Sequence, residues 1–398
     1  MGEFDYDLVF AGCGLASGLA AYLIRRERPT ARILVLDAGR PADWDQTWSF
    51  QTVPGRLRET GSEVFRAPDQ SWLAPFLSGY WPRYEVHFPE RHRVMNLPYA
   101  SLRYRDFIQL LQKSLGPSYR SGVWISKVEP EAVTLRDGAK IRARCVVDAR
   151  GWGEAGPQST SGFQKFVGLQ LLLKEPHGLK HPILMDATVP QTDGFRFMYV
   201  LPWDDRHLLI EDTHYSRNPV IDFELYQTEI LNYARQKSWQ LDRVLAREQG
   251  ALPIPLYGEE LPDTGAVPTI GVRAGLFHAT TGYSIYEAIM IAEWLARETT
   301  WLAADLQRKL KQFTSERWRQ NEFYRRLNNM LFLASVDHER YRVLEKFYEH
   351  EEGLVARFYS GQTSARDKLA ILSGKPPVPV SKGLYHFFHR VGVGRGTA

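Results

Sequence analysis

The stretch Leu8-Val9-Phe10-Ala11-Gly12-Cys13-Gly14-Leu15-Ala16-Ser17-Gly18, with Ile33-Leu34-Val35-Leu36-Asp37 after it, decides the fold. Four apolar residues predict a buried strand, the run from Leu15 to Arg26 a helix, and Ile33 to Leu36 a second strand. The chain therefore opens on a βαβ unit. Gly12 and Gly14 let the backbone approach a pyrophosphate, the helix N-terminus turns N–H groups toward it, and Asp37, roughly 20 residues on, is placed to receive a ribose hydroxyl. These features predict a dinucleotide site for FAD or NAD(P). Ser17 stands where the third glycine of G-x-G-x-x-G is usual, and Gly18 follows; serine is small enough for the helix to pack, so both join the cofactor candidates.

Beyond Asp37 a turn-rich, tryptophan-bearing stretch runs through Trp72 and Trp81. Alternation over Tyr84 to Phe88 predicts a strand, and Tyr104 to Leu115 fits a helix. Ile141 to Arg150 reads as a strand returning to the nucleotide domain, which adds Asp148 to the cofactor side. From about Gly162 to Pro255 strand patterns dominate, interrupted by a helix over Phe223 to Arg235 and another over Trp239 to Glu248. A strand near Thr269 to Val272 and a helix from Ser284 then come back to the cofactor. Ser284 and Glu287 have the spacing of a capping box, and Ile285, Ala288, Ile289, Ala292 and Leu295 form its apolar face. The loop before this helix contributes His278, Gly282 and Tyr283, with Ser284, as cofactor candidates. From Leu302 the chain reads helical until Gly374 and the cluster Pro376, Pro377 and Pro379 stop it.

This layout predicts an α/β protein: a Rossmann-like FAD-binding domain from residues 1–50, 101–155 and 265–300, interleaved with a β-sheet substrate domain from 51–100 and 156–264, and a helical C-terminal region over 301–398. A length of 398 residues suits that division. Two returns to the nucleotide domain favour FAD over the continuous block of simple dehydrogenases, although Asp37 alone fits NAD equally well.

Composition narrows the function. Hydrophobic residues make up 44% and charged residues 24%, ordinary for a globular chain, but 13% are aromatic, which points to apolar contacts beyond self-packing. A net charge of +4 is too small to argue for nucleic acid and suits an anionic membrane surface. No apolar run reaches the length of a membrane span, and the N-terminus lacks a signal pattern, so a cytoplasmic location is expected. Cys13 and Cys145 have no metal spacing, and His386 and His389 have no supporting ligands, so no metal is assigned.

The middle block holds the second informative feature, Phe195-Arg196-Phe197-Met198-Tyr199-Val200-Leu201-Pro202 and Leu208-Leu209-Ile210-Glu211-Asp212-Thr213-His214-Tyr215. These read as adjacent strands joined by the polar turn Trp203 to Arg206. Alternation puts Phe195, Phe197 and Tyr199 on one face, and Glu211 on the face of Leu209 and Thr213, away from Asp212. A carboxyl among apolar neighbours has its anion disfavoured and can act as a neutral acid. The pattern equally allows Glu211 and Asp212 to end a strand and pair with Arg196.

Several spaced motifs resemble one family. Gly12-Cys13-Gly14-Leu15-Ala16-Ser17-Gly18-Leu19, Thr47-Trp48-Ser49-Phe50, Met185-Asp186-Ala187-Thr188-Val189, Ile210-Glu211-Asp212-Thr213-His214-Tyr215, Gly275 to Ser284, Arg357-Phe358-Tyr359 and Ser373 to Val380 are similar, in order, to the bacterial lycopene β-cyclases of carotenoid synthesis. Gln46 stands where the family often has His, and Ala149 where Gly is frequent. The resemblance implies a peripheral enzyme at the inner face of the cell membrane that takes lycopene or another carotenoid with acyclic ends. It would close β-ionone rings, through γ-carotene to β-carotene, without net redox change.

The family's acid falls on Glu211; Asp212 and His214 complete the candidate catalytic set, His214 as a proton relay. The resemblance further implies that FAD would be needed reduced, with NAD(P)H as the electron source, and Trp48, Phe195, Phe197 and Tyr199 are candidate aromatic faces for a substrate cation. Arg91 and Arg93 with Met95 and Leu97, and the tail Leu384 to Arg390, are candidate contacts with lipid. Two other readings remain open on the residues: a flavin hydroxylase or desaturase, which would consume oxygen or NAD(P)H with product, and a non-enzymatic carotenoid carrier, which would release its ligand unchanged.

Overall fold

A computed structural model describes residues 4–52, 71–152, 162–374 and 378–391. Pro376 and Pro377, and the turn-rich stretch over 53–70, lie outside the described residues. The opening unit is β1 (Leu8–Ala11), α1 (Leu15–Glu27) and β2 (Ile33–Asp37). Every residue of both strands is buried, as a parallel sheet covered on both faces requires. Next come β3 (Thr47–Gln51), β4 (Gly79–Trp81), β5 (Tyr84–Phe88), β6 (Arg91–Met95), β7 (Tyr99–Arg103), α2 (Tyr104–Leu115) and β8 (Tyr119–Ser121). β9 (Ile125–Glu129), β10 (Ala132–Leu135) and β11 (Lys140–Arg142) form a small antiparallel sheet, after which β12 (Val146–Asp148) pairs in parallel with β1. The nucleotide sheet has the order β12-β1-β2-β8.

The single strand expected over Ile141 to Arg150 is therefore two. Ile141 pairs with Val133 in the small sheet, whereas Val146 pairs with Val9 in the nucleotide sheet, so the segment passes from one sheet to the other.

The larger sheet is built from β13 (Phe163–Leu173), β14 (Ile183–Asp186), β15 (Phe195–Pro202), β16 (His207–Ser216) and, after helix α3 (Phe223–Gln236), β17 (Leu241–Pro253). Its order is β17-β13-β16-β15-β14-β5-β6. The hairpin expected from the two apolar runs is present, with Tyr199 opposite Glu211 and Phe197 opposite Thr213. The helix expected over Trp239 to Glu248 is instead β17. Its composition tolerates a helix, but a partner strand of eleven residues, β13, pairs with it from Leu241 to Pro253 and decides the outcome. One face of this sheet buries Val167, Leu169, Met198, Val200 and Ile210 against Tyr226, Ile230 and Tyr233 of α3. The other face looks toward the nucleotide domain.

The return to the cofactor side also differs in detail. Only Thr269 bridges to Asp148; Gly271–Ala274 is a short 3-10 turn. Helix α4 (Ile285–Arg297) packs on α1 with Ile285, Ala288, Ile289 and Ala292 in the same core. Ser284 precedes it but makes no side-chain cap, and Glu287 is drawn away to Arg317, whose Nε donates to it at 3.0 Å. A buried guanidinium on the neighbouring helix thus displaces the expected capping box.

That neighbour is α5 (Ala303–Gln320), and the helical region continues through α6 (Glu322–Asn329), α7 (Tyr341–Phe347), α8 (Glu352–Tyr359) and α9 (Ala365–Leu372). Beyond the expected stop, Pro379 immediately precedes a further helix, α10 (Val380–Phe388), a place where a missing N–H costs nothing. Among the described residues no helix is long and apolar enough to cross a membrane.

Candidate active site

A cavity of about 1100 Å³ runs from the glycine turn to the inner face of the larger sheet. At its nucleotide end Gly12 has φ +102°, and a Cβ there would lie 2.8 Å from the Ala149 carbonyl oxygen. Only glycine lets the turn pass the end of β12. Gly14 is different: its backbone is extended, and a Cβ there would meet nothing within 4 Å. The space beside it is open to a ligand. Ser17 holds this turn, its hydroxyl donating to the Gly12 carbonyl at 2.9 Å and accepting from the Gly14 N–H at 3.2 Å. Gly18 faces away from the cavity, where a Cβ would come within 2.5 Å of the Phe107 ring, so it serves the packing of α1 on α2.

Asp37, at the end of β2, lines the cavity and accepts at Oδ2 from Tyr104 and Tyr119, at 3.1 and 2.7 Å. Asp148 is not part of the lining. It is buried and holds two arginines that are, Arg150 at 2.8 Å and Arg273 at 3.2 Å. The acid is legible in the sequence; the cations are not, because they lie far apart in the chain and meet only in the fold. These two guanidiniums and the open glycine turn are what a diphosphate requires.

His278 is likewise outside the lining. Its Nδ1 accepts from the N–H groups of Thr280 and Thr281, both at 3.3 Å, and its ring packs against Tyr324 and Phe358. Burial pushes its pKa down to about 3, so it stays neutral and shapes the turn that presents Thr281, Gly282, Tyr283 and Ser284 to the cavity. Trp48 also lines the cavity, its ring edge-on to Phe107 with centroids 5.3 Å apart.

At the sheet end the lining is aromatic, with Phe166, Phe197, Tyr199, Tyr215, Tyr283 and Tyr359. Phe195 shares their face of β15 but is fully buried behind them, outside the lining. The hydroxyl of Tyr99 joins those of Tyr199 and Tyr283, at 3.1 and 3.0 Å. Glu211 is the carboxylic acid set into this wall, half-buried with its accessible side toward the cavity. Burial raises its pKa well above the usual carboxylate range, and the nearby carboxyl of Glu248 raises it further.

Asp212 and His214 occupy the opposite face. Arg196 grips Asp212 through two donors at 2.9 and 2.8 Å and reaches Glu229 of α3 at 2.8 Å. His214 Nε2 lies 3.1 Å from Asp212, and its Nδ1 donates to the Thr192 carbonyl. Of the three polar residues grouped from the sequence, the structure brings only Glu211 to the cavity. The Arg196 pairing that the pattern left open falls on Asp212.

Glu248 was missed because its segment was read as helix. On β17 it is buried, and Thr47 donates to it twice, from N–H at 2.7 Å and from the hydroxyl at 2.9 Å. Among the described residues one compact group has metal-ligand chemistry, Glu85, His87 and His92 on the β5–β6 hairpin, outside the cavity lining. Its members already bond to one another, both histidines meeting Glu85 Oε2 at 2.9 and 3.2 Å.

The segment 91–97 does not offer itself to lipid as expected. Arg91 pairs with Glu349, Arg93 donates to the carbonyls of Tyr348 and His350, and Met95 and Leu97 are buried. On α10, by contrast, Val380, Leu384 and Phe388 stand one turn apart and are each more than half exposed.

Comparisons with known proteins agree with this geometry. The chain is similar to flavin-dependent folds: a geranylgeranyl bacteriochlorophyll reductase-like protein of Thermoplasma acidophilum superposes with a TM-score of 0.56 at 14% identity, covering 97% of this chain and 100% of that one. A flavin-dependent halogenase of Xanthomonas campestris gives 0.55 at 10% identity, over 97% and 94%. These likenesses establish the Rossmann-like α/β fold. The chain is 42% identical to a lycopene β-cyclase of Pantoea ananas over 95% of its own length and 97% of the relative's. To a lycopene β-cyclase of Pseudescherichia vulneris it is 39% identical, over 96% and 98%. A family model described as lycopene cyclase protein matches residues 7–384. The glycine turn, the acid-bearing sheet and these relatives together assign the chain to the lycopene cyclase family.

Proposed function

We propose that the chain is a lycopene β-cyclase that closes β-ionone rings on the acyclic ends of lycopene or a related carotenoid, through γ-carotene to β-carotene, without net redox change. The observation that carries this reading is Glu211, a carboxyl held toward its neutral form on an aromatic wall of the cavity. Protonating a carbon–carbon double bond needs an acid in an apolar site. The Glu211 hydroxyl gives its proton to the terminal double bond, a neighbouring alkene of the same chain attacks the cation, and the ring cation loses a proton. The carboxylate left on Glu211 takes a proton back, so atoms and electrons balance as an isomerisation. The rings of Phe197, Tyr199 and Tyr215 turn π-faces or edges toward the same space and favour positive charge near their faces. Asp212 and His214, on the far face, hold the sheet together.

The residues fit FAD. The open space at Gly14, the Gly12 turn, Arg150 and Arg273 would hold a diphosphate, and Asp37 a ribose. The chemistry that reduced FAD, with NAD(P)H as the source of electrons, would supply there is negative charge favouring the cation, with no net consumption of the flavin. The stripe Val380, Leu384 and Phe388, next to exposed Lys382 and Tyr385, supports docking on an anionic lipid surface, the inner face of the cell membrane being the expected one.

The test is an anaerobic incubation of purified protein with lycopene in liposomes and reduced FAD, read for cyclic carotenoids and for the flavin's oxidation state. Cyclic product with flavin still reduced is expected. Product formed with stoichiometric flavin oxidation would point to a flavin oxidoreductase, and lycopene bound but recovered unchanged to a carrier.

A further inference from the structure

Glu211 and Glu248 sit on different strands, β16 and β17, and both are directly opposite Gly168 of the strand between them. A Cβ on Gly168 would lie 2.8 Å from Glu248 Cγ and 3.0 Å from Glu211 Cγ. The two carboxyl side chains therefore lean over the same missing side chain, and glycine at this position is what allows them to approach. We infer that Glu248 is a positioning residue that keeps the proton on Glu211 across the gap left by Gly168. The inference rests on Glu211 as the acid of the proposed reaction.

The two partners are not equivalent. Glu248 accepts at both oxygens, from the N–H of Thr47 at Oε2 and the hydroxyl of Thr47 at Oε1. Two donors aimed at a carboxylate favour its charged form. Glu211 faces Tyr199 and Tyr283, whose hydroxyls are bonded to Tyr99 and which burial keeps neutral, so among the described residues no opposite charge acts to stabilise its anion. Burial still lifts the Glu248 pKa to about 7, with Asp45 opposing its ionisation and Arg40 assisting it, but Glu211 has no such donors and is held higher. Two carboxyls this close in a buried place resist ionising together, so the pair keeps one proton to higher pH. The donors of Thr47 put the charge on Glu248 and leave the proton on Glu211, at the cavity. The same contacts tie Glu248 to Thr47-Trp48-Ser49, all of which line the cavity.

Glu211 is competent while protonated, and competence is lost as pH rises through its pKa. Removing the charge at 248 lowers that pKa, so the alkaline limb of activity moves to lower pH. The experiment uses the FAD-loaded protein and follows, against pH, the infrared C=O band of the protonated carboxyl that Glu211→Gln abolishes. Activity on lycopene liposomes is followed in parallel. In Glu248→Gln, whose amide can keep both contacts with Thr47, the band and the alkaline limb shift down by about one pH unit or more. Glu248→Asp, which keeps the charge, stays nearer the wild type than Glu248→Gln. Thr47→Ala removes one donor from Glu248 and weakens the Glu211 band without touching either carboxyl, which serves should Glu248→Gln fold poorly. A band that titrates at the wild-type pH in Glu248→Gln and keeps its wild-type strength in Thr47→Ala overturns the inference, whatever the activity. Full cyclisation by Glu211→Gln overturns the acid assignment instead, and the two failures are read on different instruments.

Discussion

Glu211 and Asp212, consecutive in β16, hold their carboxyls on opposite faces of one sheet and in opposite states. Burial and Glu248 push Glu211 up, whereas at Asp212 burial is outweighed by hydrogen bonds from His214 and Arg196, which hold it below the usual range. Their substitutions should therefore separate chemistry from stability. Glu211→Gln should bind flavin normally and lose cyclisation by about a hundred- to ten-thousand-fold, the range for a general acid. Asp212→Asn removes the buried one of the two carboxylates on Arg196, leaving Glu229, and should cost about 1–3 kcal/mol of stability. Per folded molecule its cyclisation should persist. Denaturant unfolding and product analysis on both variants check this, and a stable Asp212→Asn protein without activity would sink the division.

The alternation that separates these two carboxyls was legible in the sequence, because strand period fixes faces without knowledge of the neighbours. The same holds for β1, α1 and β2, where local pattern and fold agree. What escaped reading depends on partners distant in the chain. Leu241 to Glu248 has a composition that suits a helix, and only pairing with β13 makes it a strand; Glu248 was lost with it. Ser284 and Glu287 have capping-box spacing, yet an ion pair with Arg317 is stronger than a local cap. Arg150 stands two residues from Asp148, but Arg273 joins the pair only in the fold, from more than a hundred residues on, and no local window contains all three.

His278 should make stability fall on mild acidification. Its folded pKa is near 3, against about 6.5 for an unconstrained histidine, so between those values the unfolded chain binds a proton that the folded chain does not. Stability attributable to His278 is complete above pH 6.5 and declines as pH falls toward 3, with a slope of at most about 1.4 kcal/mol per pH unit. In His278→Gln this component should vanish. Urea unfolding of both proteins across the window measures the difference in slope, and parallel curves would contradict the neutral, buried assignment.

The exposed stripe on α10 should govern attachment to lipid. Val380, Leu384 and Phe388 recur every four residues, while Gly383 and Phe387 of the same helix are buried against the protein. Burying a Leu or Phe side chain in an apolar phase gives about 1.5–3 kcal/mol. The double substitution Leu384→Ser and Phe388→Ser should lower partitioning onto anionic vesicles by about tenfold or more, which corresponds to 1.4 kcal/mol. Turnover of lycopene supplied in detergent micelles should be unaffected. Co-sedimentation with vesicles gives the first number and product analysis the second; unchanged partitioning would move the docking face elsewhere.

Gly14 and Gly18 lie one helical turn apart and should fail in different ways. At Gly14 the backbone is extended and a Cβ meets no protein atom within 4 Å, so Gly14→Val is limited by the loss of a good N-cap residue, about 1 kcal/mol. The added methyls instead occupy the space assigned to the diphosphate. FAD affinity should fall about tenfold or more, equivalent to 1.4 kcal/mol. At Gly18 the Cβ would sit 2.5 Å from Phe107 and 2.7 Å from Leu111, and Gly18→Val must push α1 off α2. Overpacking of this kind costs about 1–3 kcal/mol, with flavin binding retained by the molecules that fold. Flavin titration followed by fluorescence, beside an unfolding curve for each variant, distinguishes the two. Equal loss of flavin affinity in both would mean that Gly18 also shapes the cofactor site; normal affinity in Gly14→Val would remove the diphosphate from the glycine turn altogether.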